Sequence, residues 1–393
     1  MAQPSRHVPA LMDDLVEEIL LRFSPDDPAS LVRAALVSKT WCRLVSGAGF
    51  RRRFRELHRT PPLLGFLCRS GNAGPFCNRA EGDARFMPAA TSFRRLPHAV
   101  PPRWHAIAAL HDRLLCYDMA MIKYETTDLN LFVYCPFTGE VRRLPRLVPP
   151  AMHRWGAALL GTAPGCDYDH VGFRVVVVST KPSTGVTSAY VFSSEQNTWT
   201  LQTPIQHHDV CVRQRHSAHI GDALYFKCEN NRFCVEYHII KQQLSVISLP
   251  SDGEHWPITL MTAENGGLGL AMVEGYNLVT LSRGTSLDPE VRWGIRRVIC
   301  LSKLLPAVTD RMHVAAVVDV LGIFLIGTEN GLFTIDMKSN QVRKLWEGNV
   351  SRHIGDVVHY MSFCTPGGCG DFSCEPRRTA VRGNLVSGSV NKI

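Results

Sequence analysis

From about residue 93 onward, a β-rich stretch closes on a leucine again and again, often with proline close behind. The closers are Leu96-Pro97, Leu144-Pro145, Leu201 with Pro204, Leu249-Pro250 and Leu345-Trp346. Their separations are 48, 57, 48 and 96 residues, and 96 is twice 48, so one unit with a degraded closer lies between Leu249 and Leu345. Self-similarity at roughly 40 to 50 residues, with several strands per unit, is the signature of β-propeller blades. The spacing allows six to eight of them.

The strand content inside the units agrees. LNLFVYCPFTGEVRRL reads as a hairpin turning at Pro136-Phe137-Thr138-Gly139, and SAYVFSSEQNTWTL turns at Glu195-Gln196-Asn197. FCVEYHIIKQQLSVISL turns near Lys241-Gln242, and GLFTIDMKSNQVRKLW at Lys338-Ser339-Asn340. FRVVVVST (173–180), DALYFKC and GIFLIGT are near-continuous apolar runs and are expected as inner strands, buried on both faces. The unit NLVTLSRGTSLDPEVRWGIRRVICLSKLL has the right length but no closer, and ends in a helical turn.

The first fifty-odd residues follow another period. Leu11, Leu15, Ile19 and Phe23 recur at every fourth position, and Met12, Val16 and Leu20 repeat that spacing one place on. This is a broad apolar stripe on a helix, with Asp13, Asp14, Glu17 and Glu18 off it and early enough to suit the helix dipole. SPDDP then stops the helix and restarts it. Asp27 suits an N-cap and Pro28 the first turn of a second helix carrying Leu31, Ala34, Ala35 and Leu36. Ser38 suits the cap of a third, with Trp41, Leu44 and Val45, ending at Gly47 and Gly49. A module of about 45 residues buries too little surface to be comfortable alone. Its stripe is also wider than three short helices can cover, so the module either leans on the rest of its chain or docks another protein.

Bulk properties bound the rest. Apolar residues make up 45% and charged residues 20% of the chain, which excludes a disordered protein. Net charge is +8, and five arginines fall in RRRFRELHR (51–59). Residues 51–62 read as a basic helix that stops at Thr60-Pro61-Pro62, a solvated helix end and linker, because no aromatic-interleaved basic motif marks a nucleic-acid surface. The N-terminus lacks a signal peptide's apolar core, and no run approaches the roughly 18 apolar residues of a membrane span. The nearest, VAAVVDVLGIFLIG, is interrupted by Asp319. Cytosol or nucleus is the expected location, with no membrane or nucleic-acid partner. The 13 cysteines are then expected as free thiols.

The N-terminal stretch resembles an F-box over about residues 8–55, on the L-x-D-D-L-x-E-E-I-L run (11–20), the A-A-L-V-S-K-x-W run (34–41), the Leu44-Val45 pair and Phe50. The family usually has proline after the first leucine, where this chain has Met12, an apolar residue able to fill the same contact. The resemblance implies docking to a Skp-type adaptor, and through it to a cullin scaffold, by Leu11, Met12, Leu15, Val16, Ile19, Leu20, Leu31, Val37, Trp41, Leu44 and Val45. Some of these must be the module's own core, and the pattern does not separate the two groups.

The region after it resembles the F-box-associated propeller-like domain common in plant F-box proteins. The matching pieces are C-P-F-T-G-E-V-R-R-L-P (135–145), G-D-A-L-Y-F (221–226), S-L-P (248–250) and R-W-G-I-R-R-V-I-C-L (292–301), with Cys135 where the family usually has asparagine. The expected architecture is a flexible 1–7, a three-helix module at 8–55, a linker at 56–62, a propeller at 63–365 and a disordered tail at 366–393. The implied function is substrate recognition for an SCF-type ubiquitin ligase, with a target protein on the propeller and ubiquitin transferred by other subunits. Trp155, His207, His208, Arg213, Arg215 and Trp256 fall in loop-like stretches and are the candidate target contacts.

No catalytic residue, metal or cofactor is expected. Cys364, Cys369 and Cys374, with His353 and His359 upstream, lack the paired spacing of zinc sites. His207-His208-Asp209 and His216-x-x-His219 read as loop residues, and no nucleophile, zincin or nucleotide-binding motif occurs. Two alternatives remain. One is a protein-interaction scaffold with a degenerate F-box. The other is a propeller enzyme or sugar-binding protein, which needs carboxylates converging at the mouth; the blade-connecting loops offer only scattered acids, Asp167, Asp169, Asp252 and Glu254 among them.

Overall fold

The computed structural model describes residues 12–70, 83–89, 93–118, 129–147, 154–161, 172–250, 257–284, 293–306, 311–350 and 354–365. The N-terminal part is helical: α1 is Asp13–Leu21, α2 Pro28–Ala35, α3 Lys39–Ser46 and α4 Ala48–His58. Asp13 and Asp14 occupy the first turn of α1, and Pro28 the first position of α2. Ser38 caps α3, its Oγ accepting from the Trp41 amide at 3.1 Å. Four helices form: the three of the expected module and a fourth that carries the basic run, starting at Ala48 and ending at His58. Gly47 does not separate α3 from a linker: it caps the end of one helix and the start of the next, in extended backbone. Gly49 lies inside α4, and most of the arginine run continues that helix.

The module closes around Val16, Leu20, Leu31, Val45, Phe50 and Phe54. Arg53 ties α4 to α1, with Nη1 2.9 Å from Glu17 Oε1 and Nη2 on Glu18. Cys42 is disulfide-bonded, against the expectation of thirteen free thiols; Cys68, Cys116, Cys135, Cys211, Cys228, Cys234, Cys300 and Cys364 are free. Sequence spacing cannot show which thiols a fold brings together.

Six blades follow. The second to sixth are antiparallel sheets whose innermost strands are Trp104–Leu110, Trp155–Gly161, Val212–Ile220, Thr259–Thr262 and His313–Val318. The first blade is shared between the two ends of the propeller's chain. Leu63–Ser70 pairs on one side with Asp83–Pro88 and on the other with Ile354–Met361, which is the innermost strand and closes the ring. The expected range of six to eight blades narrows to six, and the blade with the degraded closer is the fifth. There a 3-10 turn, Leu301–Lys303, stands between the outer strand and Leu305-Pro306, and both Leu301 and Leu305 are buried.

The continuous apolar runs have a cause the topology makes plain. FRVVVVST, DALYFKC and GIFLIGT were expected as inner strands but are the second strands of their blades. A second strand is covered on both faces by neighbouring blades. Val175 and Val177 enter the apolar cluster shared with the second blade, and Val176 and Val178 the one shared with the fourth. Such a cluster fills each of the six junctions between blades. Polar ties accompany it. The indole of Trp199 donates to Pro145 O at 2.9 Å and that of Trp293 to Ser248 O at 3.1 Å. An outer-strand tryptophan thus holds the closing segment of the preceding blade. Thr262 donates through N and Oγ1 to one oxygen of Asp319, at 2.9 and 2.8 Å, joining the fifth blade to the sixth.

Strand direction fixes where the helices sit. Leu63 pairs with Met361, so the chain enters the first blade where the innermost strands end. Tyr360 Oη donates to Asp112 O at 3.1 Å at that same end. Just past the closing strand, Phe363 packs edge-on against Phe54 of α4, with ring centroids 5.9 Å apart. The helical module therefore caps one end of the propeller. The starts of the innermost strands form the other end.

Candidate functional site

The apolar stripe of α1 splits in two. Val16, Leu20 and Leu21 turn inward, and Leu20 has no exposed surface. Leu15 and Ile19, one turn apart on the other side, are each 49% exposed, and Met12 is 69% exposed. Leu36 and Val37, in the turn between α2 and α3, are 67% and 66% exposed. Trp41 and Leu44 are half-buried and pack against the module's core from its edge. Leu31 and Val45 are buried within it. Of the candidate adaptor contacts, then, Met12, Leu15, Ile19 and Val37 present surface, and Trp41 and Leu44 present part of theirs. Val16, Leu20, Leu31 and Val45 have none to spare, because a side chain filling its own core cannot also touch a second protein. Leu11 lies outside the described residues. Leu36, not among the candidates, is as exposed as Val37. Its exposure follows from lying just past the end of α2, where the helical period that placed it on the inner face no longer applies.

The candidate target contacts among the described residues fall at the end of the propeller remote from the helices, but Trp155, Arg213 and Arg215 are on strands where loops were expected. Trp155 is no loop residue. It begins the innermost strand of the third blade and is 3% exposed, its ring edge-on to Tyr117 at 5.4 Å. Its apolar bulk is used between blades two and three. His207 and His208 lie in the connection leading to the fourth blade. His207 is half-buried with its ring 5.0 Å from Phe233 and its Nδ1 shut off without a hydrogen-bond partner, whereas His208 is exposed. Arg213 is the second residue of the fourth blade's innermost strand and half-buried; Arg215 is on the same strand, its side chain not among those described. His216 and His219, expected in a loop, are also on that strand. Beside them an ion pair between Arg154 and Glu229, which sequence reasoning missed, links the third blade to the fourth. Trp256 and the scattered acids Asp167, Asp169, Asp252 and Glu254 lie outside the described residues, as do Cys369 and Cys374.

Among the described residues no group of three or more His, Cys, Asp or Glu is arranged to hold a metal. Burial pushes the thiols of Cys68 and Cys228 up to about 12, and those of Cys116 and Cys234 higher still, which keeps them protonated and poorly nucleophilic. No helix among the described residues is long and apolar enough to cross a membrane.

Compared with known families, residues 11–53 match the F-box domain. The chain is an F-box module followed by a six-bladed propeller. No curated protein matches it significantly. Solved structures with a similar backbone include a protein from Lactobacillus plantarum, at 11% identity and TM-score 0.42, covering 73% of this chain and 83% of that one. TolB from Acinetobacter baumannii matches at 11% identity and TM-score 0.41, over 79% and 70%. The periplasmic gluconolactonase PpgL of Pseudomonas aeruginosa matches at 13% identity and TM-score 0.36, over 76% and 99%. Likenesses this weak say nothing about activity.

Proposed function

We propose that this chain is the substrate-recognition subunit of an SCF-type ubiquitin ligase. The F-box docks a Skp-type adaptor, and through it a cullin scaffold, by way of Met12, Leu15, Ile19, Leu36 and Val37, with the partly open Trp41 and Leu44 at the margin. The observation that carries the reading is the exposure of Leu15 and Ile19 on a module whose core is complete without them. Five large apolar side chains in water on so small a unit cost free energy unless a partner covers them. The propeller, of the F-box-associated kind, offers its far end to a target protein. The chain itself does no chemistry: it raises the effective concentration of target lysines near a conjugating enzyme supplied by other subunits. Cytosol or nucleus is the setting this requires.

The test is co-expression with a Skp-type adaptor followed by size-exclusion chromatography, wild type beside a Leu15→Asp, Ile19→Asp double variant. Wild type co-elutes and the variant does not, while both keep the propeller's thermal transition. Two charges placed in an apolar interface remove more than about 100-fold in affinity. Met12, where the family usually has proline, favours a second reading: a degenerate F-box on a free-standing interaction scaffold. A folded wild type that ignores the adaptor selects that reading.

A further inference from the structure

The fifth blade ends on the strand Trp293–Cys300, and no strand among the described residues pairs with its outer side. It is 8 residues long, whereas the outer strands of the other blades have at most 6. A long open edge presents a row of backbone donors and acceptors, the template on which another chain can add a strand. Its side chains set it apart as well. Ile295 and Val298 are 67% and 56% exposed, and Arg296 and Arg297 are exposed between them. The outer strand of the fourth blade, Gln243–Ser248, instead shows Gln243, Ser245 and Ser248 to water.

Register sorts these side chains into two faces. Pairing with Asn277–Arg283 sets Ile295 opposite Leu281 and Val298 opposite Val279. Leu281 and Val279 pack in the apolar cluster between blades four and five, so Ile295 and Val298 extend that row past the point where blade four covers it. Arg297 is opposite Thr280 and therefore on the other face. Arg296 is the extra residue of a bulge, and its Nε donates to Ser282 Oγ at 2.5 Å on that same face. The edge thus has an apolar face and a cationic one. Glu236, the carboxylate on blade four's side of the junction, is already held by Tyr225 Oη at 2.8 Å and Ser245 Oγ at 2.6 Å.

We infer that this edge accepts an extended, acidic segment of another protein as an added strand of the fifth blade. Guest residues beside Ile295 and Val298 are apolar, and the carboxylates that alternate with them meet Arg296 and Arg297. A second copy of this chain does not suit the edge, because it would set arginine against arginine. The two arginines and the bulge guard the edge against unselective pairing and leave it open to one sign of charge. The site is on the propeller's rim and does not depend on adaptor docking.

The experiment is fluorescence polarisation on the full chain, together with the adaptor where the two co-purify. The probe is a labelled heptapeptide that alternates valine and glutamate. One companion peptide carries lysine in place of glutamate, and another has the same residues in two blocks. The alternating acidic peptide binds and weakens with added salt, and both companions bind at least about tenfold less well. On binding, the amides of residues 293–300 gain protection from hydrogen exchange. Arg297→Glu lowers affinity for the acidic peptide by about tenfold and raises it for the lysine peptide. The double variant Ile295→Thr, Val298→Thr keeps the charge and the strand propensity, also lowers affinity by about tenfold, and serves if Arg297→Glu fails to fold. Equal binding of alternating and block peptides, equal binding by wild type and a folded variant, binding without protection of 293–300, or no binding of any peptide up to about 1 mM overturns the proposal. So does dimerisation of the chain alone that the double variant abolishes, which would give the edge to a second copy.

Discussion

Ile19 and Leu20 are neighbours on α1, and Val175 and Val176 are neighbours on the second strand of the third blade. In both pairs the two side chains point to different sides of their element. On α1 the result is one sealed residue and one that is half exposed. In the blade both valines are sealed. The elements differ in how many neighbours they have. A helix at the edge of a four-helix module has a core on one side only, so the far half of a wide apolar stripe stays in water. A second strand stands between two other blades, so whichever way a side chain points it meets apolar surface. An unbroken apolar run therefore means complete burial in the propeller and an uncovered surface in the module.

The sharpest way to break this comparison is to remove the propeller's second neighbour. Truncation after residue 353 deletes the closing strand Ile354–Met361 and leaves Leu63–Ser70 unpaired on its inner side. It also strips the apolar clusters on both sides of the first blade of Val357, Val358 and Tyr360. The truncated chain is expected to lose its cooperative thermal transition and aggregate, as read by circular dichroism and light scattering. A transition at the wild-type temperature would mean that the ring is not closed by this strand.

A second substitution pair tests the split within α1. Leu20→Ala opens a cavity in the module's core and costs roughly 2–5 kcal/mol, whereas Leu15→Ala on the exposed side stays within about 0.5 kcal/mol. Hydrogen exchange across α1 and α3 reads both. Exchange accelerates strongly in the first variant and stays unchanged in the second. Equal effects would place Leu15 in the core and remove the basis for the docking surface.

The smallest effect concerns the junction of blades five and six. Asp319 is half-buried, with Oδ2 held by Thr262 and Oδ1 shut off from solvent without a partner. Burial raises its pKa, and the Thr262 hydrogen bonds only partly oppose that. Because the folded pKa is above the unfolded one, the stabilising contribution belongs to the protonated form. It is fully present below the unfolded pKa and is lost as pH rises through the folded value. The propeller's melting temperature should therefore fall slightly as pH rises across that window in wild type. Asp319→Asn should lack this step, and an identical pH profile for the two would remove Asp319 as its source.

Much was legible in the sequence because it is local. Every helix start that depends on a capping residue or a proline could be read, down to the hydrogen bond that Ser38 makes to its own helix. So could the hairpin turns, where Asn197, Gln242 and Asn340 adopt positive φ. The interval between closing leucines identified the repeat, and a repeat that cannot bury itself implies a ring. The tertiary structure decided what depends on distant partners. It chose six blades, placed the last strand innermost in the first blade, and put the apolar runs second in their sheets. It took Trp155 from a presumed loop into the core and sorted the α1 stripe into core and surface. It also set Ile295 and Val298 on one face of an uncovered edge. A side chain's type and spacing are written in the chain, but whether it is covered depends on what folds against it, and those segments lie tens to hundreds of residues away.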